Sequence, residues 1–356
     1  MPLPRKTLLS FILLLGSSTL YAQDKWATPE LSQMYAHAQE FVVLKNYKEA
    51  ITILKQALLL DPGKLLLSRE LGKTQYLSGD YDAAVNTLKP LTANTSADTL
   101  CYQLLAACYA AQQNTRDALS VLKKGLHHFP SSGLLYYETG KMYTAQGNPK
   151  AALNAWLDGI QNAPAYPQNY YEAARIYLAS GEVIWGLLYG ETFINITTDS
   201  TGRAEIKTML VAASKTLFEK IATGRKEKGA PSSFSASIQQ VFTSLTPVVS
   251  DGITTENLTM VRTRFLMDWP GNYGSRYPYS LFTYHDYLLR NGLFEIYNEW
   301  LFGNAINTVE YTAWNQFHPG EIDLLLQKLA THPLVTSTSD FYNERDINAI
   351  FPKKGK

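Results

Sequence analysis

The chain has 356 residues, more than one core comfortably fills, so two folding units are expected. Its formal charge is +1, and it holds no basic run of the kind that tracks a phosphate backbone, which argues against a nucleic-acid partner. Charged residues make up 18%, below the ~25% of an average globular chain, while tyrosines number 23, so contact through aromatic and neutral polar surface is expected.

Residues 1–22 read as an export signal. Arg5 and Lys6 give a positive start, Leu8 to Leu15 a short apolar run, and Gly16 to Ala22 a small and polar exit, with cleavage expected after Ala22. The apolar run is shorter than the ~20 residues a membrane-spanning helix needs. Losing Arg5 and Lys6 takes the formal charge from +1 to −1. A soluble, exported protein follows, periplasmic or extracellular.

From residue 31 to 200 the chain repeats every 34 residues. Windows of equal length start at Leu31, Leu65, Thr99, Gly133 and Pro167 with no insertion between them. Their eighth positions are Ala38, Gly72, Ala106, Gly140 and Ala174, and their twentieth Ala50, Ala84, Ala118, Ala152 and Gly186. Large residues recur at position 11 (Phe41, Gln75, Tyr109, Tyr143, Tyr177), and the windows close on Pro62, Ser96, Pro130, Pro164 and Thr198. Small residues at two fixed places let two helices approach closely, and the large residue fills the space to the next pair. Gly79-Asp80-Tyr81, Gly147-Asn148-Pro149 and Gly181-Glu182 mark the turns within windows. Proline near the window's end stops the second helix, because its ring cannot continue the hydrogen-bond ladder.

This pattern resembles the tetratricopeptide repeat (TPR), a pair of antiparallel helices per 34 residues. The resemblance implies an all-α, TPR-type solenoid of five helix pairs, because one pair cannot bury its own apolar face. It further implies that the first helices line a concave groove through register positions 2, 5, 9, 12 and 13. Positions 5 and 9 are Tyr35 and Gln39, Arg69 and Lys73, Gln103 and Ala107, Tyr137 and Lys141, Tyr171 and Arg175. Four cations and three tyrosines without a carboxylate suit a protein or peptide partner offering acidic side chains or a C-terminal carboxylate. The asparagines with which chaperone-binding members grip a terminal carboxylate are missing from these positions.

Gly186 and Gly190 depart from the pattern, each lowering helix propensity by ~1 kcal/mol relative to alanine. A helix over 203–221, with an apolar stripe at Ile206, Met209, Leu210, Ala213, Leu217 and Ile221, is expected to pack on them and cap the solenoid, which then spans 31–222. Residues 223–233 (TGRKEKGAPSS) read as a linker or exposed loop. A smaller, all-helical, aromatic-rich domain is expected over 234–335, with stripes at Ile238/Val241/Phe242/Leu245, Leu258/Val261/Phe265/Trp269, Leu293/Ile296/Tyr297/Trp300/Leu301 and Ile322/Leu325/Leu326/Leu329. Pro319 is placed at a helix start. Residues 336–356 read as a loose tail.

Cys101 and Cys108 lie seven apart on one predicted helix, ~10 Å from each other, out of disulfide reach. No cysteine–histidine spacing for zinc occurs, and no cofactor is expected. Residues 265–317 hold 15 aromatics in 53, with His285, Asp286, Glu295, Glu299, Glu310 and His318 among them. They build a core or line a pocket for a sugar-like or aromatic ligand. No HExxH, GxSxG or phosphate-loop motif is present, so a catalytic residue is not assigned. Neighbours such as His285 with Arg290, or Glu295 with Glu299, read as surface pairs. The expected function is a non-catalytic scaffold that binds a protein through its groove. The alternatives are a small-ligand binding protein with its site in the aromatic-rich region, or a hydrolase using two of Glu295, Glu299 and Glu310.

Overall fold

A computed structural model describes residues 26–224, 233–250 and 252–343. The export-signal segment 1–22, most of the expected loop at 223–233 and the tail from 344 lie outside the described residues. Among the described residues every regular element is helical, as the 3.6-residue stripes require. They divide into two compact units, one ending at Thr87 and the other beginning at Leu88.

The first unit contains α1 (Pro29–Val43), α2 (Tyr47–Leu60), α3 (Leu65–Leu77) and nearly all of α4 (Tyr81–Leu88). Thr28 opens α1 by accepting from the Leu31 amide, with Pro29 at the first position, where a missing N–H costs least. Its core is Leu31, Ala38, Leu54, Ala57, Leu67 and Leu71. Ala38 and Ala50, the small residues at positions 8 and 20, are fully buried, which is what close helix approach demands.

The second unit continues the same register with α5 (Thr99–Ala111), α6 (Thr115–His128), α7 (Gly133–Ala145), α8 (Pro149–Asn162), α9 (Pro167–Ser180), α10 (Val183–Ile196) and α11 (Ser200–Ala222). Asp98, Asn114, Ser132, Asn148 and Asp199 cap their helices by accepting from backbone amides. Each helix packs on the next, and α7 also touches α5 and α9, while α11 touches α9. The first helices of successive windows therefore lie side by side, and α11 takes the first-helix place of a sixth window. At Gly140 the approach is close enough that a Cβ would stand 2.1 Å from Nε1 of Trp156 on α8. Ile206 and Leu210 of α11 cover Gly190, as anticipated, but Gly186 is covered by Leu178 of α9.

Seven further helices follow: α12 (Phe234–Leu245), α13 (Thr255–Trp269), α14 (Ser280–Arg290), α15 (Phe294–Asn298), α16 (Asn304–Ile306), α17 (Thr308–Phe317) and α18 (Glu321–Thr331). A π-type turn, Glu299–Gly303, joins α15 to α16. These helices do not close around a core of their own. Their buried residues merge with those of α8 to α11 into one cluster, so the division expected between 222 and 234 is not a boundary between cores. Phe234 shows why: it is 1% exposed, with the rings of Trp185, Trp269, Tyr277, Tyr279, Phe282 and Tyr342 centred 4.8–6.1 Å away. The last described segment is not loose either. Thr336 donates to the Pro164 carbonyl (2.8 Å), and buried Asn343 donates to the hydroxyls of Tyr177 (2.7 Å) and Tyr189 (3.3 Å). Two details differ at α18: it begins at Glu321 after Gly320, not at Pro319, and of its apolar stripe only Leu325 is buried.

Candidate functional site

The groove positions expected from the register fall on α1, α3, α5, α7 and α9, and they are less cationic than positions 5 and 9 suggest. Position 6 of three windows is a glutamate: Glu70, Glu138 and Glu172. In the first unit Lys73 pairs with Glu70 at 3.0 Å, and Gln39 donates to the same oxygen at 3.1 Å. Tyr35 packs against Trp26 at a tilt, ring centres 5.1 Å apart, and Arg69 is half-buried on the same helix as Lys73.

In the second unit Lys141 pairs with Glu138 at 3.0 Å while lying over the Tyr137 ring, and Gln103 donates to Glu138 from the preceding window at 3.0 Å. Arg175 lies over Tyr171 and pairs with Glu172 (3.4 Å) and with Glu205 of α11 (3.1 Å). Tyr171 donates to Glu205 at 2.7 Å. Burial pushes the Tyr137 hydroxyl well above the usual phenol range, and the Glu172 and Glu138 carboxylates push it further, so it remains a donor at any physiological pH. Lys141 and Arg175 thus face three carboxylates, Glu138, Glu172 and Glu205. In the second unit these side chains form an aromatic and polar ladder in which both cations are paired.

A second assembly was invisible at the level of motifs. Glu191 of α10, Arg262 of α13, His285 of α14 and Tyr297 of α15 converge where the register ends and the later helices begin. Three donors meet on Glu191 Oε1: the Arg262 guanidinium, His285 Nε2 (2.8 Å) and the Tyr297 hydroxyl (2.8 Å). Asn195 donates to the Tyr297 oxygen at 2.8 Å, and Arg262 reaches Asn298 Oδ1 at 2.7 Å. Burial alone would raise the Glu191 carboxyl; Arg262, His285 and Tyr297 overcome it and hold it down at about 2. Burial pushes the His285 ring below its ordinary value, Arg262 pushes the same way, and Glu191 pulls it partly back. At neutral pH the cluster is therefore a carboxylate, a guanidinium and a neutral imidazole. His285, expected at the surface beside Arg290, is 5% exposed, and Arg290 pairs instead with Asp286 at 2.6 Å.

Two tetratricopeptide-repeat family models match, over residues 44–108 and 106–170. Residues 44–170 are tetratricopeptide repeats. The α9–α10 pair follows the same register beyond the matched stretch. Solved structures of similar fold include a thermophilic TPR protein of Thermus thermophilus, 21% identical, covering 51% of this chain and 99% of its own at TM-score 0.41. A tetratricopeptide repeat protein from Parabacteroides merdae is 16% identical, covering 72% and 97% at TM-score 0.38, and MamA is 20% identical, covering 44% and 91% at TM-score 0.36. No curated protein matches the chain.

Tetratricopeptide repeats are generally non-catalytic scaffolds for protein–protein interaction. The carboxylates named for hydrolysis lie beyond the repeats: Glu295 and Glu310 are exposed, and Glu299 is half-buried. Burial raises the Glu299 carboxyl, with Glu256, Glu295 and Glu310 adding to the rise. Among the described residues no group of three or more His, Cys, Asp or Glu is placed to hold a metal ion, and no helix is long and apolar enough to cross a membrane. Cys101 and Cys108 are buried on α5 without forming a disulfide, and burial pushes the Cys108 thiol up to about 12.

Proposed function

We propose that this chain is an exported, non-catalytic scaffold that holds a protein partner along the first-helix face of its tetratricopeptide repeats. The observation that carries the reading is the hydrogen-bonded linkage of that face from one window to the next, Gln103 to Glu138 and Tyr171 to Glu205. Side chains fixed before the partner arrives lose little further freedom on binding, so more of the contact energy appears as affinity. Tyr137 and Tyr171 act as anchors, and the paired charges around them set orientation. Because Lys141 and Arg175 are already answered by carboxylates, an acidic run gains little there. A segment of mixed polarity with apolar anchors fits better than the acidic or C-terminal carboxylate segment that the cations alone suggest.

The bonds that tie the later helices to the repeats run through Pro164, Tyr177, Tyr189, Glu191 and Asn195, none of them a groove position, which favours a face left available to another molecule. Export rests on the reading of residues 1–22. The test is site-specific photo-crosslinking in cells of the source organism, with the reactive residue at Gln103 or Lys141, and at exposed Lys123 of α6 as the control. Capture of one protein from the first two positions and not from the third supports the reading. Equal capture from all three, or none, ends it.

A further inference from the structure

The second unit contains a cavity of ≈ 80 Å³ between α10, α11, α12, α13 and α14. That is several times the about 10–15 Å³ that a single water needs, enough to admit part of a small organic molecule. Its wall is apolar and carries the rings of Phe218, Phe242, Phe265, Phe282 and Phe302. Water needs two to four polar partners to settle in such a place, so a wall of this kind favours an apolar guest.

Only one edge of the wall is charged. Glu191, Arg262 and His285 all line the cavity, and Glu191 and His285 are 8% and 5% exposed. The edge is neutral overall, since the carboxylate and guanidinium cancel and the imidazole is uncharged. Its hydrogen-bonding capacity is lopsided. All three donors reach Oε1 of Glu191, and Oε2 accepts from none of the described residues. His285 Nε2 sits 2.8 Å from Glu191 Oε1 and 3.3 Å from the Arg262 guanidinium, so that nitrogen is already engaged by the cluster. A carboxylate oxygen left outside these bonds, beside an aromatic-lined space, calls for a guest that donates. An anionic guest would bring a second negative charge to Glu191 in a desolvated site.

We propose that this cavity binds a small neutral aromatic alcohol, a phenol-type molecule, with its ring among the phenylalanines and its hydroxyl donating to the Glu191–His285 edge.

The full chain is titrated with three probes: phenol, toluene (the same number of heavy atoms without the hydroxyl) and benzoate. Binding is followed by the shift in thermal midpoint and by methyl NMR, with intermolecular NOEs between probe ring protons and the methyls of Leu217 and Val261. Phenol is expected to bind saturably, about tenfold more tightly than toluene, the worth of one hydrogen bond in a dry site. Benzoate is expected to leave both signals unchanged. Val261→Phe, which fills the cavity, removes phenol binding; should that variant not fold, the wild-type NOEs decide alone. Toluene binding as tightly as phenol, benzoate binding as tightly as phenol, or no NOE to either methyl group would each overturn the proposal.

Discussion

The Tyr297 hydroxyl donates to Glu191 Oε1 at 2.8 Å across 106 residues of sequence, inside a cluster where both side chains are buried. This bond, with Arg262 and His285 on the same oxygen, joins the last helix pair of the register to the aromatic-rich helices. Glu191→Gln keeps the shape and removes the charge that answers Arg262. A buried guanidinium left without its counter-ion costs about 3–5 kcal/mol, and that loss is expected in urea unfolding followed by circular dichroism. Glu191→Leu combined with Arg262→Met removes both charges and is expected to recover most of it. A loss below ~1 kcal/mol for Glu191→Gln would mean that the cluster does not hold the two parts together.

Acid should loosen the same junction in two stages. The His285 ring is held below its ordinary value of 6.5, so below that pH the unfolded chain takes up a proton that the folded chain refuses. Stability contributed in this way is fully present above pH 6.5 and is lost as pH falls. Glu191, held at about 2 against 4.5, contributes stability that is present above 4.5 and lost between there and about 2. Unfolding free energies measured from pH 7 to pH 5 should fall for the wild type and fall less for His285→Gln. Identical slopes would show that the ring takes up its proton over the same pH range in the folded and unfolded states.

Lys207 should behave in the opposite part of the pH range. Its Nζ lies 3.7 Å from the centre of the Trp300 ring and donates to the Trp300 carbonyl. Burial, with Arg203 nearby, pulls its ammonium from 10.5 down to about 7. Between those values the unfolded chain holds the extra proton, so raising the pH from 7 to 9 favours the folded state. The gain should be present in the wild type and absent in Lys207→Met, measured by urea midpoints at the two pH values.

Gly140→Ala tests how closely α7 and α8 approach. The added methyl would stand 2.1 Å from Trp156 Nε1, which donates to the Tyr137 carbonyl at 3.3 Å. The indole must move and that bond must break, at an expected cost of about 1–3 kcal/mol in thermal or chemical unfolding. Trp156 emission should shift with it. A neutral result would show that the pair can separate without penalty.

The ladder was legible because its cause is local and periodic. Alanine or glycine at positions 8 and 20 is dictated within each window, and burial of Ala38, Ala50, Ala118, Ala152 and Ala174 follows directly. The pairing of the cations was less legible, for a narrower reason. Glu70, Glu138 and Glu172 recur at the same register position, a signal present in the sequence, but one place away from position 5. The Glu191 cluster had no such signal. Its members come from four helices whose spacing reflects tertiary packing alone, and His285 beside Asp286 reads as surface until the fold buries one and leaves the other to Arg290. The shared core was missed because the charged stretch at 223–233 marks a break in composition, and composition does not say whether Phe234 beyond it packs back onto Trp185.

Phe234 and Asn343 also decide how any binding partner can be mapped. Cutting the chain near residue 223 to give two shorter proteins would strip Trp185 of the Phe234 ring and take Asn343 away from the Tyr177 and Tyr189 hydroxyls. The shorter proteins would be sticky, and a lost or gained interaction would report damage instead of address. Localisation by deletion is therefore the wrong instrument for this molecule; single side-chain replacements on the outside of intact protein are the right one.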